Sequence, residues 1–165
     1  MENNNIEIAK NTIKELLGHM GFDAEIYERQ EEGRVVFNVK CSDAKLLIGK
    51  QGATLESLQY LVKLAVYRQI PVEEKFSFGV DIDDYKDKRV IYLKDLARKA
   101  AHQVKQTKKA VSLVPMPSYE RRVIHNYLSL YSDVASESIG KEPERKIIIR
   151  YKKPDDSGFK FIEEI

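Results

Sequence analysis

Apolar residues recur at helical spacing over residues 6–20, at Ile6, Ala9, Ile13, Leu16 or Leu17, and Met20, and predict an amphipathic helix. Gly21 follows where a left-handed cap would sit. Residues 23–29 carry Ala24, Ile26 and Tyr27 and predict a strand, and Glu31-Glu32-Gly33 reads as a turn. Residues 34–40 then alternate, with Val35, Phe37 and Val39 on one face and Arg34, Val36, Asn38 and Lys40 on the other. That alternation predicts a half-buried strand forming a hairpin with the first. Ser42 or Asp43 is placed to cap a short helix over 44–48, which Gly49-Lys50-Gln51-Gly52 breaks at once. A second helix is predicted over about 53–69, with Leu55, Leu58, Val62 and Ala65 on one stripe, ended by Ile70-Pro71-Val72. Alternation at Phe76, Phe78, Val80 and Ile82 predicts a strand over 76–82.

The order α-β-β-α-α-β is complete at Ile82, and a new unit is predicted from Asp83-Asp84 onward. Val90, Leu93, Ala97, Ala100 and Val104 mark a long helix over 85–109, and Val111 and Leu113 a short strand. Val114-Pro115-Met116-Pro117 reads as a rigid connector, with Ser118 as the expected N-cap of a helix over 118–131. Tyr119, Val123, Tyr127 and Leu130 are its expected inward face. Strands at 134–139 and 145–152 form a final hairpin across Gly140 to Glu144. The pattern is α+β with two small domains, 1–82 and 83–165. The short junction leaves no room for a loose linker and suits units that dock or share the long helix.

Composition narrows the class. The 165 residues are 42% hydrophobic and 33% charged, which excludes collagen, disulfide scaffolds and wholly disordered chains. No run approaches the roughly 18 consecutive apolar residues of a membrane span, and no secretory signal opens the chain. Direct membrane insertion is therefore not expected. The single cysteine, Cys41, cannot form an internal disulfide and points to the reducing cytoplasm. Net charge is +2 but uneven: residues 1–82 hold 10 Lys and Arg against 13 Asp and Glu, and residues 83–165 hold 18 against 13. A basic half hints at an anionic partner, and the long helix over 85–109 alone carries nine Lys or Arg.

Two constellations could carry chemistry. In Ile48-Gly49-Lys50-Gln51-Gly52, two glycines let backbone approach a bulky anion, the following helix offers its positive end, and Lys50 adds a mobile charge. The spacing is not that of a P-loop, and no strand precedes it as a dinucleotide fingerprint requires. Taken alone, the four residues Gly49 to Gly52 read as a plain helix–turn–helix corner. Embedded in α-β-β-α-[Gly-x-x-Gly]-α-β, they make residues 6–82 resemble a KH domain of the bacterial, type II topology. The resemblance implies that Gly49, Lys50, Gln51 and Gly52 clamp the sugar-phosphate backbone of about four single-stranded nucleotides. It implies further that Ile48 supports the loop and that the next helix lines a groove for bases, with Leu55 and Leu58 left to the core.

The second constellation is Arg121-Arg122-Val123-Ile124-His125. Arg121 and His125 lie four apart, so on a helix they share a face. An arginine fork suits phosphate, and an imidazole donates a hydrogen bond or stacks on a base. Arg122 lies about 100° round the helix and is the lesser expected contributor. Behind its Pro-rich connector, this stretch resembles the small domain named for its Arg-x-x-x-His signature (the R-x3-H domain), which implies binding of single-stranded nucleic acid. The tandem, together with Pro117-Ser118-Tyr119-Glu120-Arg121-Arg122-Val123-Ile124-His125, resembles the Jag, or SpoIIIJ-associated, family over about residues 6–152. Many members carry an extra N-terminal domain and a charged linker ahead of the KH domain; neither is expected within these 165 residues, as in a naturally short member or a truncated one.

The resemblance implies a non-enzymatic, cytoplasmic protein whose partner is single-stranded RNA, with single-stranded DNA as the other candidate. The alternative is an interaction scaffold that forms a homodimer, or pairs with a small single-KH protein, through its KH domain. Cys41, His19, His102 and His125 lack metal-ligand spacing, so neither metal nor cofactor is expected. Asp81, Asp83 and Asp84 would serve a third reading, a Mg²⁺-dependent nuclease, but read more simply as charges at a strand end. Glu142, Glu144, Asp155 and Asp156 read as solvated turn and tail charges.

Overall fold

The computed structural model of the chain describes residues 2–31 and 33–152. Glu32 of the expected turn, and Asp155 and Asp156 of the expected tail, lie outside the described residues. The chain divides into two compact units between Asp87 and Lys88.

The first unit runs α1 (Glu2–His19), β1 (Ala24–Glu31), β2 (Arg34–Cys41), α2 (Ala44–Ile48), α3 (Ala53–Tyr67) and β3 (Phe78–Ile82), the predicted order. Its sheet is ordered β1-β2-β3, with β1 antiparallel and β3 parallel to β2. A parallel neighbour needs a crossover, and α2 and α3 supply it. The central strand turns Val35, Phe37 and Val39 into a core shared with Ala9, Ile13 and Leu17 of α1 and with Leu55, Leu58, Val62 and Val66 of α3. β3 begins two residues later than the alternation predicted. Phe76 lies outside it and packs on Phe78 with ring centroids 5.3 Å apart. Asp43 occupies the N-cap position of α2 but makes no capping bond; its carboxylate accepts from the Ser42 hydroxyl instead.

The opposite sheet face is not simply solvated, because Val36 and Asn38 are buried there too. Arg29 stands directly across from Val36 in register. Its Nη1 donates to Asp84 Oδ1 at 2.9 Å and its Nη2 to Asp81 Oδ2 at 3.2 Å, while Asn38 Nδ2 reaches the same Asp84 oxygen at 2.8 Å. Asp81 is fully buried and also accepts from the Ile82 N–H at 2.9 Å. Two of the three carboxylates that a nuclease would turn toward a metal, Asp81 and Asp84, are thus spent on a guanidinium. On the outer edge of β3, Gln59 accepts the Val80 N–H and the Lys86 ammonium donates to the Val80 carbonyl at 2.9 Å. Those two side chains occupy edge groups that would otherwise template another strand.

The division of the chain falls inside α4 (Tyr85–Thr107). From Lys88 onward, the second unit comprises the rest of α4, β4 (Val111–Ser112), α5 (Ser118–Leu128), β5 (Val134–Ile139) and β6 (Lys146–Tyr151). Its sheet is antiparallel, ordered β4-β6-β5. Leu93, Ala97, Ala101 and Val104 of α4 pack with Ile124 and Leu128 of α5 and Ile147 and Ile149 of β6. One expectation for α5 fails and another holds only in part. Pro117, not Ser118, occupies the N-cap position, and Ser118 is the first helical residue. The fully buried stripe is Glu120, Arg121, Ile124 and Leu128; Val123 and Tyr127 pack half-buried against the core as expected, whereas Tyr119 and Leu130 are exposed. The helix is turned from the phase its apolar residues suggest because two charged residues are buried as paired groups.

Phe78 meets Phe37 edge-on at 5.7 Å and Tyr67 at 5.9 Å, with no exposure of its own. Phe78→Ala is expected to destabilise the first unit by about 3–5 kcal/mol. Urea denaturation measures the loss, and amide exchange should lose protection first along β2 and β3.

Candidate nucleic-acid interface

The corner between α2 and α3 is built from three residues with positive φ: Gly49 at 69°, Gln51 at 54° and Gly52 at 83°. Side-chain sterics make this region costly for residues other than glycine. Packing makes it costlier. A Cβ on Gly49 would lie 2.0 Å from Thr54 Oγ1 and 3.0 Å from the Thr54 backbone nitrogen, and a Cβ on Gly52 would lie 2.9 Å from the Tyr85 ring. From sequence, these glycines admit two explanations, a plain turn between helices and the close approach of a ligand. The fold requires them already, because α3 starts against one and Tyr85 covers the other.

The corner stands partly open. Lys50 is exposed, Ile48, Gly49 and Gln51 are half-buried, and Gly52 is buried. The Gly49 N–H donates to the Lys45 carbonyl at 3.0 Å and the Ala53 N–H to the Lys50 carbonyl. Ile48 packs on the core and so supports the loop, while Leu55 and Leu58 belong wholly to that core. The arrangement presents one ammonium and a left-handed backbone corner at the start of a 15-residue helix, where the helix dipole favours an anion.

The Arg121–His125 pair is arranged differently from its sequence expectation. The two residues do share a side of α5, but that side faces the protein. Arg121 is 7% exposed. Its Nε donates to the Met116 carbonyl at 3.1 Å, its Nη1 to Ser138 Oγ at 2.6 Å and its Nη2 to Glu142 at 2.5 Å. Glu142, read from sequence as a solvated turn charge, is thus the ion-pair partner of this arginine. His125 Nδ1 lies 2.7 Å from Ser136 Oγ. Burial, with the Arg121 charge beside it, lowers the imidazole pKa below its usual 6.5. The pair therefore ties α5 to β5 and to the connector before α5, and the ring is neutral at neutral pH.

Arg122, the lesser candidate in sequence, is the one left exposed. Sequence reasoning missed a second buried ion pair in this unit. Glu120 is 4% exposed and accepts both Nε and Nη2 of Arg89, at 2.7 and 2.9 Å. Arg89 in turn lies over the Tyr92 ring at 5.1 Å. An acidic residue beside a basic motif looks like surface charge in a sequence; only its distant partner, 31 residues earlier, marks it as interior.

Comparison with known proteins matches residues 7–75 to the family model described as KhpA/KhpB, KH domain, and residues 92–151 to that of the R-x3-H domain. Over 135 residues the chain is 39% identical to the RNA-binding protein KhpB of Clostridium symbiosum, covering 82% of this chain and 60% of that protein. Over 150 residues it is 35% identical to the RNA-binding protein KhpB of Bacillus subtilis (strain 168), covering 90% and 71%. Over 108 residues it is 39% identical to that of Lactiplantibacillus plantarum, covering 66% and 33%. The chain thus spans less than two thirds of the first and third of these relatives.

Gly49→Ala is expected to cost about 1–3 kcal/mol, from positive φ and the contact with Thr54. Gly18→Ala is the control: that α1 glycine has nothing within 4 Å of an added Cβ, and alanine there should be neutral or stabilising by up to about 1 kcal/mol. Thermal denaturation of both variants checks the contrast. For His125 the lowered pKa sets the sign of a pH effect. Above 6.5 the ring is neutral in both folded and unfolded chains; as pH falls from there toward the lowered folded value, the unfolded chain takes up a proton first, and stability is lost. Urea titrations on either side of pH 6.5 should show this acid-side loss, and His125→Gln should remove it.

Proposed function

The chain belongs to the KhpB family, and on that premise we propose that it binds single-stranded RNA and catalyses no reaction. The observation that carries this reading is the Gly49–Gly52 corner, where an exposed lysine and a left-handed backbone meet the start of α3. Ile48, Gly49, Lys50, Gln51 and Gly52 form the clamp on the sugar-phosphate backbone. In the second unit the basic exposed face of α4 and the exposed Arg122 extend the contact, with Arg121 and His125 beneath as positioning residues. Two weak contacts on one chain raise avidity without any new interaction. Single-stranded DNA offers the same phosphates and is the natural competitor to test. A cytoplasmic location suits this partner and the single free cysteine, and none of the described helices is long and apolar enough to cross a membrane.

One observation favours a second activity alongside the first. Tyr60, Leu61 and Leu64 of α3, with Leu46 of α2, are exposed large apolar residues. Such a stripe suits pairing with a second copy or with a small single-KH protein. Sedimentation with and without oligonucleotide separates the readings: a stable dimer without RNA affinity supports the scaffold alone.

Lys50→Asp combined with Gln51→Asp sets two negative charges where the clamp would meet phosphate. Binding of a fluorescent single-stranded RNA should weaken roughly tenfold or more, and the salt slope should fall by about 0.7 for each phosphate that the clamp no longer neutralises. A double variant with native melting and unchanged affinity would falsify the clamp.

A further inference from the structure

Five tyrosines stand among the described residues of the second unit, and they fall into two groups. Tyr127 and Tyr131 pack against the core, and Lys105 lies 4.7 Å over the Tyr131 ring. Tyr151 of β6 is likewise packed on the core, with Lys108 at 3.3 Å over its ring. Tyr92 and Tyr119 differ: they are 55% and 61% exposed. A single exposed ring is ordinary. These two are joined by a chain of contacts, because Arg89 lies over Tyr92 and also forks onto Glu120, the residue next to Tyr119.

We propose that Tyr92 and Tyr119 form a stacking platform for the bases of single-stranded RNA, with Arg122 as the cation for the adjoining phosphate. The proposal rests on the RNA-binding reading above and adds the residues that would take bases. Three features support it. The bidentate Arg89–Glu120 pair ties α4 to α5 at residues next to both tyrosines, so the rings are presented on rigid elements and lose little freedom on binding. Glu120, the residue beside Tyr119, is buried and paired with Arg89, so its carboxylate is not turned toward a phosphate. Arg122 follows Tyr119 by three residues on α5, hence on a neighbouring part of the helix surface, and it enters none of the ion pairs that hold Arg89 and Arg121. An aromatic face is sequence-tolerant, since every base has a π-face, and an arginine supplies charge without selecting a base.

The test is anisotropy of short fluorescent oligouridine and oligoadenosine RNAs against the full chain, titrated with salt. Tyr92→Ala and Tyr119→Ala should each weaken binding by about fivefold or more, with the salt slope unchanged because no charge is removed. Tyr92→Phe and Tyr119→Phe should restore it, since stacking needs the ring and not the hydroxyl. Arg122→Gln should instead lower the salt slope by about 0.7. If the double alanine variant binds as tightly as the parent while the Lys50–Gln51 double variant loses binding, the platform is overturned and the RNA-binding reading stands. If the parent itself binds neither RNA, both fall. If the double alanine variant keeps its RNA affinity but loses self-association in sedimentation, the two rings serve a protein contact and the proposal is likewise overturned.

Discussion

A carboxylate or guanidinium drawn out of water must find partners, and in each unit of this chain one arginine supplies them across elements. Arg121 does so with all three of its nitrogens; Arg29, its side chain 28% exposed, does so with its two terminal nitrogens, while its buried Nε meets no partner among the described residues. In the first unit Arg29 reaches from β1 to Asp81 and Asp84, which lie 52 and 55 residues later, and so joins one edge of the sheet to the start of α4. In the second, Arg121 joins α5 to the connector at Met116, to β5 at Ser138 and to Glu142 beyond it. Removing one partner from such a cluster strands the other charge, which is why these groups hold their elements in a single arrangement.

The same requirement decides which charges remain for a ligand. A cation that spends its donors inside the protein has little left for phosphate. Arg121 is committed in this way, Arg89 is forked onto Glu120, and His125 is held neutral by its surroundings. Lys50 and Arg122 remain at the surface. The signature arginine and histidine thus act in the architecture beneath the surface, and neighbouring residues carry the exposed charge.

At the Gly49–Gly52 corner, internal packing places on the chain the same demand that the proposed contact with a ligand would. Positive φ and the nearness of Thr54 and Tyr85 exclude a side chain at either glycine. The corner that results is one a polyanion could also approach. A glycine required by the fold and a glycine required by a ligand look identical in a sequence.

Much of the architecture was legible from periodicity alone. The α-β-β-α-α-β order, the five-residue helix before the glycine corner and the hairpin at 134–139 and 146–151 all follow from local spacing and turn residues. So do Val35, Phe37 and Val39 as a core face, because a strand's alternation is a property of neighbours in sequence. The family likeness was legible for the same reason, since both of its motifs are contiguous. What local pattern could not supply was the phase of α5. Its apolar residues favoured Tyr119 and Leu130 as inward, yet Glu120 and Arg121 are buried and those two are exposed. Nothing within eleven residues of helix distinguishes Arg121 from Arg122. The choice is made by Arg89, Ser138 and Glu142, partners 17 to 31 residues away that only folding brings to the helix. Sequence by itself therefore determined the elements and the motifs. Tertiary structure alone decided which of two adjacent arginines faces water, because a buried charge is placed by its distant partners rather than by its neighbours in the chain.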